Sequence, residues 1–193
     1  IVQDLSDSVE EGPGLILGCT VQASIEGDSN VGGLVGTVAP ELGDDPEATF
    51  QLDDLELAAD VYATLRAVAR DSRFDGQVTV KNECGGGIAG RCEAGAILNC
   101  IARGQITTGW DYCGGIAGRT KGRVLQCAAL TELSGQSWLG GIAGLGKDIG
   151  ECRAMVQATG EGEYRGAIAG QAEGTLEDNV YLREELAGLD GVE

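Results

Sequence analysis

The stretch ECGGGIAGRC, residues 83–92, places Gly85, Gly87 and Gly90 in the spacing G-x-G-x-x-G. In that pattern backbone amides approach a dinucleotide pyrophosphate at the start of a helix. A strand-like run, GQVTV, precedes the glycines, and Asp111 follows at about the distance of a ribose contact. The residues after them, RCEAGAILNC, are interrupted by Gly95 and do not supply the helix. The core of the motif also recurs, as GGLVG at 32–36, GGIAG at 86–90, 114–118 and 140–144, and GAIAG at 166–170. A cofactor loop is used once per domain. Five copies indicate an architecture, and no cofactor is expected.

The other reactive side chains narrow the chemistry further. The chain has no His, which removes His-based triads and the commonest zinc and general-base arrangements. Its seven Cys form no C-x-x-C. Cys19, Cys100, Cys127 and Cys152 share one position of the repeat and read as small buried hydrophobes. Cys84 and Cys113 each stand before a glycine block and read either as a disulfide between adjacent coils or as separate thiols. Asp44-Asp45 and Asp53-Asp54 could supply the paired carboxylates of a polysaccharide lyase or hydrolase, or oxygens for calcium. Yet Asp is common in turns for backbone reasons, and the carboxylates do not recur at one repeat position. No catalytic or metal-binding residue is therefore assigned. Trp110, Tyr112, Trp138 and Tyr164 fall in the same turn of successive units. They read either as a platform for sugar faces or as a cover for the corner, with the cover preferred.

What must position these residues is the repeat. Aligned on the Cys column, with Leu55 and Asn179 also in it, the position three earlier is always aliphatic: Ile16, Leu52, Ile97, Val124, Ile149 and Leu176. Two later stand Val21, Leu57, Ala102, Ala129, Ala154 and Tyr181. The position six later is also apolar, and Leu34, Ile88, Ile116, Ile142 or Ile168 centres each glycine block. The clean copies recur every 25 to 28 residues, a period that signals a solenoid. Alternation within each unit is that of short strands, and no unit holds enough 3.6-periodic sequence for a helical repeat. The fold class expected is all-β: a parallel β-helix of about six coils, three strands per coil, forming a single domain over residues 1–193.

One segment departs from the pattern. Residues 53–70 have good helix propensity but also alternate strictly, and strands are preferred over a helix. With Leu52, Leu55, Leu57 and Val61 in the inward columns, residues of about 62–84 have no counterpart. They are expected to form an inserted arm of two strands, 61–70 and 77–83, carrying Arg66, Arg70, Arg73 and Lys81.

Composition sets the surface. Net charge is −18, and residues 1–65 hold fourteen acids and no Lys or Arg. So acidic a chain repels phosphate backbones and anionic lipid, which excludes nucleic acid as a partner. No apolar run approaches a membrane span. The chain opens on Ile1, no signal peptide is expected within it, and it reads as a fragment of a longer protein.

The unit GRVLQCAALTELSGQSWLGGIAG, residues 122–144, resembles the GLUG repeat of bacterial surface proteins. Residues 95–118 match it best, through Asn99-Cys100, Ala102, Gly104, Ile106 and the glycine block. The resemblance covers about residues 14–193. It implies a secreted or cell-surface protein of adhesin-like type; the repeat also occurs in non-catalytic regions of IgA-specific metallopeptidases. The expected function is a non-catalytic segment that acts as a stalk or contacts a host or neighbouring-cell protein or glycan. A β-helix carbohydrate-active enzyme is the alternative. The contact residues expected are the aromatic turn row and the arginines of the arm.

Overall fold

A computed structural model describes residues 14–39 and 67–182. They form four parallel sheets, each running the length of a solenoid, and among them there is no helix. Sheet I stacks Gly14–Leu17, Ala67–Arg70, Ala96–Leu98, Arg123–Leu125, Asp148–Gly150 and Leu176–Glu177. Sheet II, the longest, stacks Thr20–Gly27, Arg73–Val80, Ile101–Thr108, Ala128–Ser134, Arg153–Thr159 and Val180–Tyr181. Sheets III and IV split the glycine block, for example Cys113–Gly114 in sheet III and Ala117–Thr120 in sheet IV. Sheets of six, six, five and five strands make five complete coils and half of a sixth.

The all-β parallel solenoid is as the repeat predicts, but each coil has four strands rather than three. The extra corner lies inside the glycine block. Ile88, Ile116, Ile142 and Ile168 point into the core there, all at 3% exposure or less. The flanking glycines lie against the next coil: a Cβ on Gly114 would sit 1.9 Å from the Ala117 carbonyl oxygen and 2.8 Å from the Ala143 Cα. Small residues are thus dictated by backbone proximity rather than by a ligand. Gly85, Gly87 and Gly90 belong to this corner and open no helix. NAD or ATP at millimolar concentration is accordingly expected to leave the melting temperature unchanged. A saturable rise lost in Gly87→Val would contradict the corner assignment.

The second coil corrects the sequence reading. Ala67–Arg70 pairs with Gly14–Leu17, and Arg73–Val80 pairs with both Thr20–Gly27 and Ile101–Thr108 in unbroken register. Residues 67–83 are therefore the first half of an ordinary coil and not an arm. The inward columns assigned to Leu52, Leu55, Leu57 and Val61 are filled by Ala69, Ser72, Phe74 and Val78. The residues from 67 to 70 are strand, as preferred. The rest of the 53–70 segment, with Arg66, Asp44-Asp45 and Asp53-Asp54, lies outside the described residues.

Two corners repeat a left-handed backbone conformation. Between sheets I and II it falls on Gly18, Asp71, Asn99, Gln126, Glu151 and Asp178, and before sheet III on Asn30, Cys84, Tyr112, Trp138 and Tyr164. Non-glycine residues in this region cost about 1–2 kcal/mol each. Asn and Asp tolerate it best, because their side chains bond locally. At Asp71 the carboxylate accepts from Asn99 Nδ2 at 2.7 Å and from Arg70 Nε at 3.0 Å. Those two bonds, Asn99 first, hold its carboxyl below the ordinary range.

Candidate functional site

The cysteine column lies just inside the first of these corners. The left-handed residue turns the following N–H along the solenoid axis, toward the next coil. There the backbone N–H of Cys100 donates to Cys127 Sγ at 3.4 Å, and that of Cys127 to Cys152 Sγ at 3.4 Å. The ladder ends on oxygen: Cys152 N–H donates to Asn179 Oδ1 at 2.9 Å, and Cys19 N–H to Ser72 Oγ at 3.1 Å. Each thiol in turn donates to a carbonyl two residues earlier, such as Cys127 Sγ to Leu125 O at 3.3 Å. These Cys are buried as expected, except Cys19, which is exposed in the first coil. They are more than small hydrophobes, because they satisfy backbone donors that the corner leaves without a carbonyl.

All seven Cys are free thiols. Cys113 pairs in register with Gly85, not with Cys84. The extra glycine in CGGG shifts Cys84 one position back, onto the left-handed corner, so the two thiols do not share a position and form no disulfide. Burial pushes the Cys113 thiol up to about 12, and pushes those of Cys84 and Cys92 up to about 11, from an ordinary value near 9. The unfolded chain releases these protons near pH 9, while the folded chain holds them to pH 11–12. Stability from this source is complete below pH 9 and is lost as pH rises through 12. The urea midpoint is therefore expected to fall between those pH values; a midpoint that rises there would contradict the assignment.

The aromatic row is brought together in part. Tyr112 and Trp138 lie 5.1 Å apart between ring centroids, tilted by 32°, and Trp138 and Tyr164 lie 4.8 Å apart, stacked at 16°. Trp138 Nε1 donates to Gln171 Oε1 at 2.7 Å, and the Arg119 guanidinium lies 5.8 Å from the Tyr112 ring centre. The three rings follow one another along the corner, and Tyr164 at the end of the row is 45% exposed. Trp110 is separate. It precedes the corner by two residues and is 59% exposed. Arg70 ends a sheet I strand and pairs with Asp71, whereas Arg73 opens a sheet II strand. The predicted arginine cluster is thus divided by a corner.

Sequence reading missed the outer face of sheet II. Gln77, Gln105, Glu132 and Gln157 occupy one outward column, in register on successive coils. Gln77 Nε2 donates to Gln105 Oε1 at 3.2 Å, and Gln105 Nε2 to Glu132 Oε2 at 2.8 Å. Two residues on, Thr79, Thr107, Ser134 and Thr159 form a parallel hydroxyl column. On the other side Leu130, Met155 and Leu182 are exposed. A groove of about 670 Å³ runs between the apolar residues and the amide ladder, and a second of about 280 Å³ lies between the amide and hydroxyl columns. The available signal was the repeated Gly-Gln-Val-Thr at 76–79 and Gly-Gln-Ile-Thr at 104–107.

Four continuous sheets around an aliphatic core define the chain as a parallel β-solenoid. No family model, curated protein or solved structure matches it. Among the described residues no group of three or more His, Cys, Asp or Glu converges to hold a metal ion, and no helix is long and apolar enough to cross a membrane.

Proposed function

We propose that this chain is a non-catalytic repeat segment of an exported bacterial surface protein, a stiff spacer with a contact surface along its side. The observation that carries this reading is the uninterrupted register of the sheets, in which each coil pairs only with the coils before and after it. Such an array transmits position along its axis and keeps one cross-section throughout. The resemblance to GLUG repeats supports export and an adhesin-like setting. The partner is a host or neighbouring-cell protein or glycan.

Antibody raised against residues 67–182 is expected to label intact, unpermeabilised cells that make the full-length protein. Label that appears only after permeabilisation would overturn the surface assignment. Release of new sugar ends from a polysaccharide by the purified chain would instead favour the enzyme reading.

A further inference from the structure

We infer that the outer face of sheet II binds a neutral, hydroxyl-rich polysaccharide chain laid along the solenoid axis. The inference rests on the reading of the chain as a non-catalytic contact module and names its ligand class.

The charge of the face favours a neutral ligand. The amide and hydroxyl columns begin in the first coil at Ser24 and Glu26, and of their residues only Glu26 and Glu132 are ionisable and none is a cation, in a chain of net charge −18. A polyanion finds no cationic row there, and a basic protein finds little to neutralise; an uncharged polymer meets its complement. The chemistry of the face matches a sugar. Amides and hydroxyls each donate and accept, as sugar hydroxyls do. Gln157 and the four hydroxyls of the Thr79 column take no protein hydrogen-bond partner among the described residues, so they are open to a ligand.

The shape of the face matches one too. The larger groove has amides on one side and Leu130, Met155 and Leu182 on the other, 38%, 52% and 49% exposed. A pyranose ring has the same division, with polar edges and apolar C–H faces. The column of Leu130 and Met155 carries Arg103 and Asp75 in the two preceding coils. The pairing of an apolar side chain with the Gln105 column therefore recurs in the coils of Glu132 and Gln157, rungs about 4.8 Å apart, which suits successive sugars of a linear glycan. The face is built of strands in register, which fixes the columns before any ligand arrives.

Affinity electrophoresis through gels containing hydroxyethyl cellulose, glucomannan, xylan or polygalacturonate tests this. Retardation by at least one of the three neutral glycans, stronger than by polygalacturonate, is expected. Gln105→Ala with Thr107→Ala should weaken that binding by about tenfold or more, two hydrogen-bonding side chains being lost, while the β circular dichroism of the folded chain is kept. Arg123→Ala, on the outer face of sheet I, should bind like the parent. No retardation by any neutral glycan, stronger retardation by polygalacturonate, or binding indifferent to the double substitution would each overturn the proposal. Binding that appears only after removal of residues 183–193 would assign the groove to the chain's own tail and overturn it as well. If the bound glycan is shortened, the face stands as its site, and it is the non-catalytic reading that fails.

Discussion

Ile116→Asp is expected to cost about 4 kcal/mol or more, enough to unfold a domain of ordinary stability. Ile116 is at 0% exposure, and its column places Ile88 on one side and Ile142 on the other. A carboxylate there is cut off from solvent and lies among aliphatic side chains. It must either stay protonated at neutral pH or force the coils apart. Urea denaturation followed by circular dichroism reads the effect. Equal midpoints for Ile116→Asp and the parent would contradict the inward assignment of the column.

Gly140→Ala is expected to be nearly as damaging, for a steric reason. The added Cβ would lie 1.8 Å from the Ala143 carbonyl oxygen and 2.6 Å from the Gly170 nitrogen. Both are backbone atoms of paired strands, so relief requires moving a corner and the coil beyond it. A loss of about 3 kcal/mol follows, at the upper end for overpacking. Gly18 supplies the contrast. Its Cβ would meet nothing within 4 Å, and its φ of +64° is matched in the same column by Asn99 at +48°. Gly18→Asn is therefore expected to change stability by less than about 1 kcal/mol. A similar loss in both variants would mean that conformational freedom, not proximity, explains the glycine block.

The repeat was legible because its inward columns are chemically monotonous. Ile97, Val124 and Ile149 are all aliphatic, and each is buried. The second coil was less legible, because its corner column carries Ser72 where most other coils have Cys. The spacing held the answer. Cys100 precedes Ile116 by sixteen residues, Cys152 precedes Ile168 by sixteen, and sixteen before Ile88 stands Ser72. A serine oxygen accepts the same backbone hydrogen bond as a cysteine sulfur. The column keeps its hydrogen-bonding capacity and not its hydropathy, so apolar patterning does not reveal it.

The aromatic row was legible as a shared turn, but its division was not. Trp110 and Tyr112 are two residues apart, and only Tyr112 stands at the left-handed position that stacks with Trp138. The outward columns of sheet II were hidden for another reason. Polar residues on a solvated face carry no periodic constraint strong enough to stand out until the register is known, and the register of the second coil is hidden by Ser72 in its corner column.

The central claim is that residues 67–92 form one coil of a continuous solenoid, stacked directly beside 96–120. Methyl–methyl nuclear Overhauser spectra of the labelled chain test it most directly. The register predicts cross-peaks between Ile25 and Val78, Val78 and Ile106, and Ile106 and Leu133. Ile25 linked directly to Ile106, with no cross-peak from Val78 to either, would place residues 67–83 outside the stack and contradict the account.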